Sequence, residues 1–469
     1  MLIGCYSIPA AAQQAGRRSA LEVEVERRGP IHEGFAQPVA IGANDGLLVF
    51  KRPPPLLKEY PPVLRPAAWQ AMWLPGYWGW DNRKKDFVWV TGAWRVPPPG
   101  MRWVPGYWSA RDDQFVWTPG FWYAAERPEV VYEPSPPQRE SHQPDPPNPS
   151  ADEFSVPGYW VMTSGGYVWR RGHVSPFHEG WVWMPTRRIA TPAGSVLLRG
   201  YWDYPLTQRG VLFAPVSVVN GRQASPAFTP QSVVDIGRLS GWLFTWTAYG
   251  HYCFGDYFGE ARRERAIEPW FRAENDPVFA YERWRRAAAQ PNWPGALAEQ
   301  FARRTKQLER AADRRAAPSR ELVIPFSDWS KAPGAPLPLM MGSYADRLSA
   351  AQSAEAIAQL ARARASFETA AAESPEKAAT FALPAAAPPT AVVRDAPRVG
   401  TTGEFIPGTV GREVPGFGRR TLPGMVGRTL PGVDTTAPGV VAPGVLPGAD
   451  TRLPPGAELP KPQTPRKPR

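Results

Sequence analysis

Short runs of aromatic and β-branched residues alternate with clusters of Gly, Pro and Asp through the middle of the chain. Hexapeptides related to Trp-x-Pro-Gly-Tyr-Trp begin at Trp73, Trp89, Trp103 and Trp117, and degraded copies begin at Ser155, Trp169, Trp183 and Leu197. The central glycine positions within each set are 14 or 16 residues apart. A fixed period of this kind indicates a repeat protein with two blocks of four units.

The aromatic runs predict β-strands, and the polar clusters between them predict turns. We expect one strand per repeat and an antiparallel meander of 14-residue aromatic units in two blocks. The fold class is therefore mainly β repeat, followed by a small α-helical region and a disordered Pro/Gly-rich tail.

The two tryptophans of a complete motif are five residues apart, so a regular pleat directs them to opposite faces of the strand. A β-bulge at Pro-Gly would return both to one face. Two-sided burial and a bulged strand both remain open. A third reading makes Pro-Gly the tip of a type II turn with the tryptophans paired across it.

Composition changes divide the chain into nine segments. They are a truncated signal peptide or lipobox (1–20), an N-terminal linker (21–66), repeat block 1 (67–123), a Pro-rich linker (124–152), repeat block 2 with additional strands (153–260), a helical region (261–318), an irregular segment (319–343), an Ala-rich helix (344–380) and a disordered Pro-Gly tail (381–469).

Charge and cysteine content constrain the function classes. The net charge of +11 is scattered along the chain, which argues against nucleic-acid binding and suits attraction to acidic envelope polymers. The N-terminus ends a short apolar stretch at Ala10–Ala12, as at a signal-peptide cleavage site, and Leu2–Cys5 is similar to a lipobox with Cys5 as the acylated residue. Export is favoured over a cytoplasmic location, and no apolar run is long enough for a transmembrane helix.

The repeat tryptophans are the candidate ligand-binding residues. Flat indole rings at regular intervals stack well on sugar rings, whereas the alternative is that they form the core. The second tryptophan of each motif is the better candidate for exposure: Trp78, Trp94, Trp108, Trp122 and Trp160.

Catalytic motifs are weak. The five histidines form no metal-ligand spacing, and no nucleophile elbow, phosphate loop or dinucleotide fingerprint occurs. Asp256 and Glu260 flank an aromatic segment and are the only candidates for hydrolase carboxylates, while a solvated pair with a helix cap is the simpler reading. Cys253 lies among aromatic residues and is expected to be a small buried thiol. We expect no enzyme activity, cofactor or metal.

The repeats between residues 67 and 202 resemble the WXXGXW (or YXWGXW) repeat proteins of bacteria. RGPIHEGFAQPV from Arg28, RGYWDYPLTQRGVLFAPV from Arg199 and HYCFGDYFG from His251 are similar to the long planctomycete-type members. The resemblance implies an exported protein and no particular activity. Block 2 departs from the motif, so its strands need not present the same aromatic face; the replacements are Ser155, Val174, Thr186, Arg188 and Leu197.

These observations favour a non-enzymatic, exported cell-envelope protein with a structural or adhesive role. The alternative is a carbohydrate-binding module that recognises an extracellular or wall polysaccharide through the repeat tryptophans. The sequence identifies neither the ligand nor the oligomeric state.

Overall fold

The computed structural model describes residues 22–38, 46–68, 70–137, 148–219, 228–247, 249–259, 266–273, 276–310, 322–331, 337–373 and 378–385. All of them belong to the unit Met1–Gly411. They are mostly short antiparallel strands in small sheets, with few helices, which confirms the predicted fold class. The predicted tail beyond residue 385 lies outside the described residues, as does Cys5.

The strands before and within the first block are short, as the motif spacing requires. They are β1 (Val23–Val25), β2 (Gly29–Pro30), β3 (Leu47–Val49), β4 (Leu64–Pro66), β5 (Met72–Leu74), β6 (Tyr77–Asp81), β7 (Asp86–Val90), β8 (Ala93–Arg95), β9 (Met101–Val104), β10 (Tyr107–Arg111), β11 (Gln114–Thr118), β12 (Phe121–Ala124) and β13 (Glu129–Glu133).

The later strands are those of the second block and of the segments that follow it. They are β14 (Glu153–Val156), β15 (Tyr159–Thr163), β16 (Gly166–Arg170), β17 (His173–Pro176), β18 (Val182–Met184), β19 (Arg187–Thr191), β20 (Gly194–Leu198), β21 (Tyr201–Asp203), β22 (Gly210–Leu212), β23 (Val216–Val218), β24 (Ser232–Val234), β25 (Leu243–Trp246), β26 (His251–Phe254), β27 (Ile267–Pro269), β28 (Val323–Pro325), β29 (Leu339–Met341) and β30 (Ala379–Ala382).

The described residues form five α-helices, three of which begin at a side-chain cap. They are α1 (Ile236–Leu239), α2 (Pro277–Arg286), α3 (Trp293–Arg310), α4 (Phe326–Trp329) and α5 (Tyr344–Ala371), with 3-10 turns at Leu206–Gln208 and Trp270–Arg272. Asp276 caps α2, and Ser343 with Asp346 forms a capping box at α5. Helix α5 ends before residue 380, and β30 pairs with β13 instead of continuing it.

Two successive motifs form one β-hairpin. In the first hairpin (72–95), β5 pairs with β8 and β6 pairs with β7, so that Trp73 lies opposite Trp94 and Trp78 opposite Trp89. The same pairing builds the second hairpin (101–124), the third (153–176) and the fourth (182–203). Each motif is thus a strand, a two-residue break at Pro-Gly or its substitute, and a second strand.

The structure adds two details to the expected repeat. The expected single strand per repeat is split at the two central residues of each motif. Five of the eight breaks contain a proline, which cannot donate a ladder hydrogen bond, and the other three begin at Thr91, Arg171 and Arg199. In the described residues successive hairpins do not pair edge to edge as a meander; β22 pairs with β8, β23 with β7, and β3 with β11. Strands from outside the repeats supply the backbone hydrogen-bond partners at those hairpin edges.

The first hairpin is buried on both of its faces. The register before and after the break is unchanged, with Leu74 opposite Ala93 and Tyr77 opposite Val90, so neither strand has the extra residue of a bulge. Trp73 and Trp94 pack in one hydrophobic cluster, whereas Trp78 and Trp89 pack in another. Two-sided burial is therefore the arrangement, and the tryptophans pair between motifs, not across one Pro-Gly.

A buried ionic group joins the two repeat blocks. Arg95 of the first hairpin donates two hydrogen bonds to Asp203 of the fourth, at 2.6 and 2.7 Å, and Arg209 lies 3.1 Å from the same carboxylate. All three side chains are almost fully buried. Because a buried charge requires a partner, this group couples the positions of the two blocks.

Helix α5 packs against the second hairpin through polar side chains. Arg364 and Glu368 are fully buried and bond each other at 2.6 Å. Tyr107 and Tyr132 donate to the Glu368 carboxylate at 2.5 and 2.8 Å.

No helix among the described residues has the length and apolar character needed to cross a bilayer.

Candidate functional site

The tryptophans of the motifs form cross-strand pairs. Six such pairs have ring centroids 5.1 to 5.5 Å apart and strongly inclined planes: Trp73–Trp94, Trp78–Trp89, Trp103–Trp122, Trp108–Trp117, Trp160–Trp169 and Trp183–Trp202. Inclined aromatic pairs contribute about 0.5–1.5 kcal/mol beyond the area that they bury. The aromatic repeat thus stabilises the hairpins through cross-strand packing of indole rings.

The motif glycine makes room for the indole of the paired motif. A Cβ added at Gly92 would lie 2.5 Å from Cζ2 of Trp73, and one at Gly120 would lie 2.5 Å from Cζ2 of Trp103. Gly76, Gly106, Gly158 and Gly200 face an indole in the same way. Glycine is therefore required here by close approach.

The departures in block 2 occur at positions that face each other. Ser155 lies opposite Val174 in the third hairpin, and Arg188 lies opposite Leu197 in the fourth. Thr186 replaces a motif glycine. The indole that would pack over that glycine belongs to position 197, where Leu replaces Trp. Two of the eight cross-strand positions thus lose both indoles together.

Carboxylates accept hydrogen bonds from the backbone at the breaks of the first two hairpins. Glu59 accepts from the NH of Gly76 at 3.0 Å and from the NH of Gly92 at 3.0 and 3.1 Å. Glu33 accepts from the NH of Gly120 at 2.9 Å and from Nε1 of Trp117 at 2.6 Å. These acids replace the ladder partners that the Pro-Gly break removes.

The proline carbonyls at the same breaks face basic groups. Arg364 donates to the carbonyl oxygens of Pro105 and Pro119 at 2.9 and 3.0 Å. His32 bonds through Nε2 to the carbonyl of Pro75 at 3.0 Å, while its Nδ1 accepts from the NH of Gly34. This pattern corresponds to a neutral ring protonated on Nε2.

Burial dominates the ionisation of these groups. It raises the pKa of Glu33 to about 7 and that of Glu59 to about 8, against the opposing effect of the NH donors. It lowers the pKa of His32 to about 4. Perturbed acids often indicate catalysis, but both oxygens of each carboxylate are here bonded to the motif itself.

An open cleft of about 230 Å³ lies beside the first two hairpins and helix α5. Its lining includes the aromatic side chains of Tyr77, Trp78, Tyr107 and Trp108. The chain's own segment 53–56 contributes another wall, and Trp78 Nε1 donates to the Pro55 carbonyl at 3.0 Å. A concave, mainly apolar lining with aromatic side chains and few polar groups is typical of a binding site.

The predicted ligand-binding tryptophans differ in accessibility. Trp78, Trp94 and Trp122 are only 4%, 2% and 3% exposed, so they offer no free ring face for stacking. Their burial follows from the cross-strand pairing and the strands that cover the hairpins. Trp108 and Trp160 are half-buried, and Trp108 lines the cleft. Ligand binding by these residues stays a prediction.

The other predicted residues do not form a reaction centre in the described part of the chain. Asp256 is half-buried, and Arg28 donates to its backbone oxygen at 2.8 Å, while Glu260 lies outside the described residues. Cys253 is buried in the core, as expected. Among the described residues no group of His, Cys, Asp and Glu is arranged to hold a metal ion.

Sequence reasoning missed the acids at the breaks. Each is the single acid of a short segment, Glu33 in IHEGF and Glu59 in LLKEYPP, which is the one local signal that marks them. Comparison with protein families, curated proteins and solved structures gives no match to this chain.

Proposed function

We propose that this protein is a non-enzymatic scaffold of the cell envelope with a structural or adhesive role. Its support is the use of the buried ionisable groups: Glu33 and Glu59 bond the motif backbone and indole, and Arg364 bonds the motif prolines. Groups held in this way by the fold are not available for proton transfer to a substrate. A hairpin buried on both faces, like the first one, suits a load-bearing or surface-presenting role.

Export and membership of the WXXGXW repeat family belong to the same proposal and rest on the N-terminal and motif patterns. The test is fractionation of the cells that produce the protein, with a C-terminal epitope tag and protease treatment of intact cells. Recovery in the envelope or medium is expected. Recovery in the cytosol alone would contradict it. A Cys5→Ala variant that is released from the envelope would support acylation of Cys5.

A second candidate function is binding of an extracellular or wall polysaccharide in the cleft. The observation that favours it is the half-buried indole of Trp108 in an open, mainly apolar cleft. Stacking of a sugar ring on such an indole needs one accessible face and nearby polar groups, and Arg362 and His32 also line the cleft.

The polysaccharide proposal is tested by affinity electrophoresis in gels that contain purified envelope polysaccharides. Trp108→Leu should weaken retardation at least tenfold. Trp160→Leu is the matched control, because Trp160 has a similar exposure and pairing but does not line the cleft. Equal retardation of both variants and the parent chain would exclude the cleft as the site, and circular dichroism confirms that each variant is folded.

A further inference from the structure

The backbone NH of the second motif glycine meets an oxygen in three of the hairpins. Gly92 donates to Glu59 at 3.0 and 3.1 Å, and Gly120 donates to Glu33 at 2.9 Å. In the fourth hairpin Gly200 donates to Oγ1 of Thr186 at 2.9 Å. In these three hairpins the break therefore creates a donor that the fold satisfies with a side-chain oxygen.

The third hairpin has the same break geometry. A Cβ added at Gly158 would lie 2.6 Å from the indole of Trp169 and 2.7 Å from the carbonyl oxygen of Arg170. At the equivalent Gly76 the corresponding distances, to Trp89 and to the carbonyl of Val90, are both 2.6 Å. The backbone of the third break therefore has the shape that receives Glu59 in the first.

The third break is accessible from outside. Gly172 is half-exposed, whereas the equivalent Gly92 and Gly120 are buried, and Gly158 is half-exposed like the equivalent Gly76 and Gly106. Within the described ranges, no side-chain oxygen accepts a hydrogen bond from the NH of Gly158 or of Gly172. Among the described residues, these donors are therefore left to solvent or to an incoming acceptor.

Two arginines flank this break. Arg170 and Arg171 are exposed, and the neighbouring His173 is half-exposed. In the first hairpin the equivalent positions hold Val90, Thr91 and Ala93, which are buried and uncharged. The third hairpin thus combines free backbone donors with basic side chains, and a carboxylate complements both.

We propose that the third hairpin, at Gly158 and Gly172, binds a glutamate or aspartate side chain from a second polypeptide segment. The carboxylate accepts from the glycine NH groups as Glu59 does in the first hairpin, and Arg171 adds the charge that Thr91 does not provide. An acidic peptide fits better than a small anion. In the first and second hairpins the acceptor at the break is a glutamate that belongs to an extended or turn segment of chain.

The probe is a fluorescent peptide with the sequence of residues 53–63, PPPLLKEYPPV, which carries Glu59 into the first break. Anisotropy is measured with the full chain. The peptide should bind, and its Glu59→Gln form should bind at least tenfold more weakly. Equal binding of the two peptides, or no binding of either, would overturn the proposal.

Protein variants identify which break is occupied. Arg171→Glu should weaken peptide binding at least tenfold, while Arg111→Glu, which changes an exposed arginine of the second hairpin, should not change it. Gly158→Thr with Trp169→Leu copies the arrangement of Thr186 and Leu197, supplies an internal acceptor to Gly172, and should block binding. If Arg171→Glu binds like the parent, the site is elsewhere.

A polyuronic acid is added in a competition arm. The peptide proposal fails if the peptide does not bind, while the polymer binds the parent chain and binds the Arg171→Glu variant more weakly. The site then recognises an acidic polysaccharide. The third hairpin does not line the aromatic cleft, so either result leaves the cleft proposal to its own test.

Discussion

Substitution of Gly92 by Ala tests the reason for glycine in the motif. The new Cβ would lie 2.5 Å from Cζ2 of Trp73 and 2.5 Å from the carbonyl oxygen of Leu74, where ordinary contacts are 3.4–4 Å. The indole must therefore move by roughly 1 Å, but Trp73 is only 1% exposed and packs against Trp94 and Phe213. The strand or the ring pair has to give way.

Three effects determine the magnitude. Overpacking costs about 1–3 kcal/mol, and loss of the inclined Trp73–Trp94 pair costs about 0.5–1.5 kcal/mol. Replacing Gly by Ala stiffens the unfolded chain and returns about 0.4–1 kcal/mol. The expected net change in the free energy of unfolding is a loss of about 2 kcal/mol.

The assay is urea denaturation followed by tryptophan fluorescence and circular dichroism. Gly165→Ala is the control, because its nearest neighbour, Thr163 Oγ1, would be 3.9 Å from the new Cβ. That variant should be unchanged or slightly more stable. If Gly92→Ala is as stable as Gly165→Ala, indole packing does not explain the motif glycine.

Three further predictions use the same measurements. Leu197→Trp should destabilise the fold by about 1–3 kcal/mol, and adding Thr186→Gly should recover at least part of this loss; strict additivity in the double-mutant cycle would contradict the proposed contact. Burial raises the pKa of Glu59 from 4.5 to about 8, so the folded state binds more protons than the unfolded state between these values. Stability should fall as pH rises through that window, by up to about 1.4 kcal/mol per unit, and Glu59→Gln should flatten the slope; an unchanged slope would refute the assignment. Asp203→Asn leaves Arg95 buried beside a neutral group and should cost about 3–5 kcal/mol, whereas a loss below about 1 kcal/mol would show that the ionic group does not hold the blocks together.

The candidate site was only partly predictable. The spacing of the motif identified Trp108 and Trp160 as second tryptophans, and both keep some exposure. It grouped them with Trp78 and Trp122, which are covered by other parts of the chain. Burial depends on those distant segments, so residues with the same local pattern receive different environments.

The acids at the breaks show why the sequence alone did not identify this part of the site. Glu33 bonds Gly120 across 87 positions of sequence, and Arg364 bonds Pro105 across 259. Their partners are backbone groups, which carry no side-chain signature. A carboxylate that accepts hydrogen bonds from main-chain NH groups therefore produces no recognisable pair of residue types in the sequence.

The sequence by itself determined the period, the strand-forming segments and the turns, because propensity and side-chain alternation act over a few residues. Tertiary structure alone decided that motifs pair as hairpins, that β3, β22 and β23 cover the first two hairpins, and that Glu33 and Glu59 complete the breaks. The physical reason is that each break leaves unpaired backbone donors and acceptors. Which oxygen or cation reaches them depends on where the rest of the chain packs.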